Sequence, residues 1–242
     1  MRFMVMHKVT PDTEAGKLPT PALIQGMGQL IGECAAGGHF LDGAGLLPSS
    51  KRLRLEYKAG QRTVTHGPYA GKNELPAGFA MVKVKDMDEA LAWADRFAGV
   101  VGDVEIEVGP VTEDWDLGLG EKPADAPLRV LMMHKADAHS EAGAPPSPEL
   151  MAKMGELVAD LTRSGALLAT EGLTPSSQAT RLRYTRGQRT VTDGPFAESK
   201  ELISGFCLMK FDSKAEVIAF CNRFAEVIGD IEVDIRPLFD GA

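Results

Sequence analysis

The chain repeats itself at an offset of 127 residues, and that repeat limits its architecture more than any other feature. "TVTHGPYAGKNELPAGF" at 63–79 returns as "TVTDGPFAESKELISGF" at 190–206, and "RFMVMHK" at 2–8 as "RVLMMHK" at 129–135. "RFAGVVGDVEIEVGP" at 96–110 returns as "RFAEVIGDIEVDIRP" at 223–237. No gap is needed over residues 2–113, and about two positions in five are identical. The period is far longer than the 20–50 residues of solenoid repeats, so a whole small domain is duplicated. The expected division is a first domain at 1–113, a linker at 114–127 ("DWDLGLGEKPADAP"), and a second domain at 128–242. The linker is rich in Gly, Pro and Asp and has no hydrophobic period.

Each copy reads as strand, helix, strand, hairpin, strand, helix, strand. "RVLMMHK" has strand length. Ser147 and Pro148 then suit an N-cap and first turn, Leu150, Met151, Met154, Leu157, Val158 and Leu161 follow at helical spacing, and Gly165 stops the helix. Thr20, Pro21 and Gly38 bound the matching helix of the first copy. "ALLATEG", "TRLRYT" and "QRTVT" read as strands, the last two turning through Arg186-Gly187. "GFCLMKF" reads as a buried strand, Ser213 and Glu216 as a capping box, and "DIEVDIRP" as the closing strand. The order is a split βαβ, ferredoxin-like arrangement with an inserted hairpin, hence an α+β fold. Two helices cover one face of each sheet, and the other apolar face needs a partner. The second copy supplies it, giving an intrachain pseudo-dimer with two sheets face to face, in the manner of a dimeric α+β barrel. A further homodimer stays open.

Composition narrows the function classes. A net charge of −8 argues against a grip on nucleic acid, which needs a basic face. No run approaches the roughly 18 apolar residues of a membrane span, and no secretory leader is recognisable, so a cytoplasmic location is expected. Cys34, Cys207 and Cys221 are odd in number and lack C-x-x-C spacing, which supports neither disulfides nor zinc. No nucleotide-binding glycine loop is present, and neither a metal nor a cofactor is expected.

The candidate chemistry lies where the copies differ. His66-Gly67-Pro68 stands where the second copy has Asp193-Gly194-Pro195, so the turn does not itself demand Asp. Asp193 is therefore read two ways, as turn chemistry or as a proton acceptor. His134, and His7 in the first copy, end the first strand on the face of Val130 and Met132. Each is a core histidine or an acid–base group, and Asp193 is the carboxylate that could orient His134. Arg181 and Arg183 share a strand face and suit a carboxylate ligand. Arg54 matches Arg181, whereas Glu56 stands in place of Arg183. Glu198 and Lys200 are read as ligand contacts or, with Glu201, as a solvated loop, and the match of Glu201 to Glu74 across the copies favours a structural role for Glu201.

"RLRYTRGQRTVTDGPFAESKELISGF" at 181–206 closely resembles the signature of the DGPF branch of the YCII-related proteins, and the resemblance extends over both copies. It implies a ferredoxin-like fold that pairs into an α+β barrel, and relatives that act as small-molecule enzymes of the isomerase or lyase kind. It also implies a His–Asp active site, here His134 and Asp193. The conforming residues are Arg181, Asp193, Gly194, Pro195, Phe196, Glu198, Lys200, Glu201 and Gly205, while the first copy departs at His66, Tyr69, Gly71, Asn73 and Pro76. That departure places the expected small-molecule site in the second domain. The rival expectation, also from the resemblance, is a non-catalytic ligand- or protein-binding module linked to sigma-factor regulation. A third is a pseudo-dimer with no site.

Overall fold

The computed structural model describes residues 1–239 other than 73, 197 and 198. The first copy contributes β1 (Arg2–Lys8), a short α1 (Pro11–Glu14), α2 (Pro21–Ala36), β2 (Phe40–Gly45), β3 (Leu53–Lys58), β4 (Gln61–His66), β5 (Pro76–Val84), α3 (Met87–Val101) and β6 (Val104–Pro110). The second contributes β7 (Leu128–Lys135), a short α4 (Ala138–Glu141), α5 (Pro148–Ser164), β8 (Leu167–Gly172), β9 (Thr180–Thr185), β10 (Gln188–Asp193), β11 (Ile203–Lys210), α6 (Lys214–Ile228) and β12 (Ile231–Pro237).

Local chemistry sets these boundaries. The hydroxyls of Thr20 and Ser147 accept from the N–H groups of Leu23 and Leu150, each followed by a proline that has no N–H to leave unpaired. Gly165 closes α5 at φ 74°, a left-handed position that costs glycine nothing. Ser213 caps α6, but the Glu216 carboxylate accepts from Asp212 N–H, one residue ahead of the position a capping box would use. Arg186 and Gly187 both have positive φ, as do Ala59 and Gly60, giving both hairpins a tight two-residue turn whose twist matches the strands.

The sheets cross the repeat boundary. Sheet I has the order β4-β3-β6-β7-β5-β8, and sheet II the order β10-β9-β12-β1-β11-β2. Sheet I therefore takes four strands from the first copy and two from the second, and sheet II the reverse. All the pairings are antiparallel, with β1 lying between β11 and β12 and β7 between β5 and β6. Helices α3 and α5 cover sheet I, where Leu55, Val82, Ala94, Val130, Leu157 and Leu161 form one core. Helices α2 and α6 cover sheet II, with Phe3, Val5, Leu30, Leu182, Phe220 and Phe224 beneath them.

The inner faces meet over Met4, Met6, Phe79, Met81, Leu131, Met133, Phe206 and Leu208. Methionine suits this layer, because its flexible thioether fills the irregular gaps between two twisted sheets. The face-to-face packing agrees with the expectation from sequence; a closed barrel does not form. Leu46–Val111 and Leu173–Leu238 make isolated bridges between the sheets, and each sheet keeps two open edges.

Candidate functional site

The Gly-Pro turn is built around a backbone crossing. Gly194 N–H donates to Ala179 O at 3.0 Å, and Phe196 N–H to Ser176 Oγ at 3.1 Å. A β-carbon on Gly194 would overlap the carbonyl oxygen of Ser176, and one on Gly67 the carbonyl of Ser49. Both Gly-Pro peptide bonds are cis. Ser176 and Ser49 are anchored in turn by the carboxylates of Glu141 and Glu14.

Asp193 sits beside this crossing with two local partners. It accepts from Thr180 Oγ1 at 2.8 Å and from Lys214 Nζ at 2.5 Å, and these hydrogen bonds, Lys214 first, hold its carboxyl below the usual range. At the matching first-copy positions Thr180 becomes Leu53 and Lys214 becomes Met87, so a carboxylate at His66 would have neither partner. The difference between the copies is thus local chemistry at the end of an edge strand. The Asp193 side chain is 66% exposed. Asp193→Asn is expected to shift the melting temperature by no more than about 3 °C, as befits a solvated pair. A much larger fall in a thermal melt would show that the turn depends on the charge.

The histidines lie elsewhere. His134 projects to the helix side of sheet I, its ring 5.0 Å from Phe97, and His7 to the helix side of sheet II, 5.5 Å from Phe224. Burial pushes both down to about 4, with Arg52 adding to the effect at His7 and Asp137 opposing it at His134. A neutral imidazole so hard to protonate is a poor proton carrier at neutral pH. His134 and Asp193 occupy the outer faces of opposite sheets with the inter-sheet core between them, so the structure does not bring them together.

What it does bring together is a set of buried charges at one end of the inter-sheet layer. Alternation places Lys8 on the inner face with Met4 and Met6, and Lys135 with Leu131 and Met133. Lys8 Nζ lies 2.8 Å from Asp234 Oδ2 and donates to Ser199 Oγ at 2.8 Å. Arg181 grips the same Asp234 through Nε at 2.7 Å and Nη2 at 3.0 Å, and its guanidinium lies 4.4 Å over the Phe196 ring. Burial alone would raise the Asp234 pKa, but Lys8 and Arg181 hold it below the usual range. Arg183, 64% exposed, pairs with Glu232 at 2.5 Å, and Lys200 is exposed. Glu198 lies outside the described residues.

The first-copy equivalents form a second cluster. Arg54 Nη2 lies 2.6 Å from Glu74 Oε1, Lys135 Nζ is in contact with Glu74 Oε2, and Arg54 lies 4.3 Å over the Tyr69 ring. Arg52 Nη1 reaches Glu107 at 2.9 Å. The two loops touch: Glu74 N–H donates to Ser199 O at 2.6 Å, and a β-carbon on Gly71 would overlap the Lys200 carbonyl. Gly71 is therefore a requirement of the crossing, not a decayed Glu198. Glu201, the counterpart of buried Glu74, is exposed.

Lys135 is the unusual group. Its side chain is 13% exposed, and burial, reinforced by the cations Arg54, Lys8 and Lys72, pushes it down to about 6. The Glu74 carboxylate that Lys135 touches is shared with Arg54 and with the Lys72 N–H. Sequence reasoning missed Lys8 and Lys135, although "MHK" recurs in both copies and the lysine shares the inward row of the methionines.

Among the described residues, no group of three His, Cys, Asp or Glu side chains is placed to hold a metal, and no helix is long and apolar enough to cross a membrane. The chain is 37% identical over 78 residues, 31% of its length, to an uncharacterized protein of Rhizobium meliloti (strain 1021), and the match spans 61% of that relative. No solved structure gives a significant match. The family model of the YCII-related domain matches residues 1–109 and again 128–237, so the chain belongs to the YCII-related family and carries its domain twice.

Proposed function

We propose that this protein acts on a small carbonyl-bearing molecule at the inter-sheet charge cluster, with the Lys135 amine as the proton-transferring group. The observation that supports this reading is a lysine held between two sheets against Glu74 and among Arg54, Lys8 and Lys72, with its amine pushed down to about 6. Burial among cations lowers the amine's affinity for a proton, so its unprotonated, proton-accepting form is far more available at neutral pH than that of an ordinary lysine. A base matched in this way to its working pH contributes about 10²–10⁴-fold to proton abstraction beside a carbonyl. Arg54 next to it supplies positive charge for the developing enolate. This keeps the reaction class suggested by the family resemblance but moves the chemistry from Asp193 and His134 to the first-copy loop and β7.

Reductive methylation with formaldehyde and cyanoborohydride, read by peptide mass spectrometry, tests the reading. Each event joins an unprotonated amine to the aldehyde with loss of water, and hydride then reduces the imine. The pH profile at Lys135 is expected to have its midpoint near 6, whereas an ordinary lysine amine reacts only in alkali. A Lys135 profile that also rises only above about pH 9, or no labelling of Lys135 at any pH in the folded protein, would remove it as the base.

The non-catalytic binding reading has a different foothold. An open hollow of about 250 Å³ lies between α2 and α6, lined by Cys34, His39, Phe211, Phe220 and Arg223. It lies on the outer side of sheet II, away from both clusters.

A further inference from the structure

Among the described residues, three buried side-chain atoms lack a hydrogen-bond partner: Arg52 Nη2, Arg54 Nε and Tyr69 Oη. They belong to one place. Arg52 Nη1 reaches Glu107 at 2.9 Å, Arg54 Nη2 lies 3.9 Å from the other oxygen of Glu107, and Arg54 covers the Tyr69 ring. Arg54 Nε is 3.3 Å from Glu105 Oε1 without a hydrogen bond to it. An unmet buried donor is costly, more so if charged, and folded proteins leave few of them.

The other half of the molecule serves as an internal control. There Phe196 replaces Tyr69 and has no hydroxyl, while Arg181 Nε is satisfied by Asp234 at 2.7 Å. The place of Arg52 is filled from a different strand by Arg236, which donates to Thr174 O and, at 3.2 Å, to Pro76 O, and leaves no buried nitrogen unmet. The unmet donors are therefore confined to one side of a duplicated framework.

We propose that Arg52 Nη2, Arg54 Nε and Tyr69 Oη receive the carbonyl oxygen of an uncharged small molecule, and that only this half of the protein holds it. The three groups can all donate, so the occupant is an acceptor. Charge decides which kind: Glu74, Glu105 and Glu107 already answer Arg52 and Arg54, and with the Lys135 amine unprotonated the cluster has no spare positive charge for a ligand carboxylate. Pro68 and Ala70 are exposed on either side of half-buried Tyr69, so the cluster lies just beneath the surface. This inference deepens the reading of the cluster as a small-molecule site and names what the ligand presents to it.

Pyruvamide and pyruvate are matched in size and differ in charge, and their binding can be titrated by ligand-observed NMR on wild type, Tyr69→Phe and Lys135→Met. Pyruvamide is expected to bind wild type and Lys135→Met, and to bind Tyr69→Phe about tenfold more weakly, the loss of one hydrogen bond from a buried donor. Without ligand, Tyr69→Phe is expected to melt about 2–4 °C higher, because an unmet hydroxyl has gone. A lower melting temperature for Tyr69→Phe would mean that the hydroxyl is already satisfied by water, and would overturn the proposal. So would equal pyruvamide binding by both proteins, no binding at all, or binding of pyruvate alone. Pyruvamide binding to Lys135→Met, together with failure of the labelling profile, would leave the carbonyl pocket standing without the lysine base. Normal labelling with no effect of Tyr69→Phe would leave the base and remove the pocket.

Discussion

Gly194→Ala is expected to destabilise the folded chain by about 3 kcal/mol or more, seen as a large fall in the urea midpoint without a change in slope. The cause is steric. Gly194 does not have positive φ, so its conformation suits other residues, but a β-carbon there would overlap the carbonyl oxygen of Ser176. Retreat is blocked on both sides. Gly194 N–H is tied to Ala179 O, and the next turn is held by the Phe196 N–H on Ser176 Oγ, itself bonded to Glu141. Moving the strand to admit one methyl group therefore breaks these hydrogen bonds. Gly67→Ala should behave alike against Ser49. An urea midpoint within experimental error of wild type for Gly194→Ala would show that the crossing is loose.

Arg236→Gly is expected to be nearly as damaging, by about 3–5 kcal/mol, and Ala179→Arg added to it is expected to restore most of the loss. Arg236 is almost wholly buried and donates to Thr174 O through Nε at 3.0 Å and to Pro76 O at 3.2 Å. Without it those carbonyls stay buried and unpaired. In the other half Arg52 does the same work, donating to Leu47 O at 2.6 Å and Ile203 O at 2.8 Å. Leu47 and Thr174 are 127 apart in sequence, and so are Pro76 and Ile203, so the acceptors are the same pair in each copy. Only the donor's strand differs: Arg52 opposite Gly109 in one half, Arg236 opposite Ala179 in the other. Arg52 packs over Gly109, 3.4 Å from where a β-carbon would lie, so glycine at 236 gives the transplanted arginine the same setting. Chemical denaturation of the single and double variants measures the rescue. A double variant no more stable than Arg236→Gly would mean that the two arginines are not equivalent.

Much of this architecture is legible in the residues. The strands follow from alternation and the helices from their caps, as at Ser147 and Gly165, and the need to cover a second apolar face pairs the sheets. The exchange of β1 and β7 between sheets is not legible, because the copies present almost the same apolar row to either partner: Met4 and Met6 in one, Leu131 and Met133 in the other. The expected site fails on one ambiguity. Alternation correctly assigns His134 to the face of Val130 and Met132, but that face lies under α3 and α5, and spacing alone does not say which face is the covered one. The same alternation, read one residue further, points to Lys135. Arg52 and Arg236 stay hidden because each lacks a counterpart at the repeat offset, and only their shared acceptors reveal them as one device.

The interleaving of the two sheets also sets an order in time. Sheet I is a continuous stretch of chain from Leu53 to Gly172, whereas β1 finds its two neighbours only in β11 and β12. From Lys8 to Ile203 is 195 residues. At about 5–20 residues per second, a ribosome would hold the apolar β1 strand without its partners for about 10–40 seconds. During synthesis sheet I can therefore be finished first, and β1, made before any of its strands, is among the last to find its place.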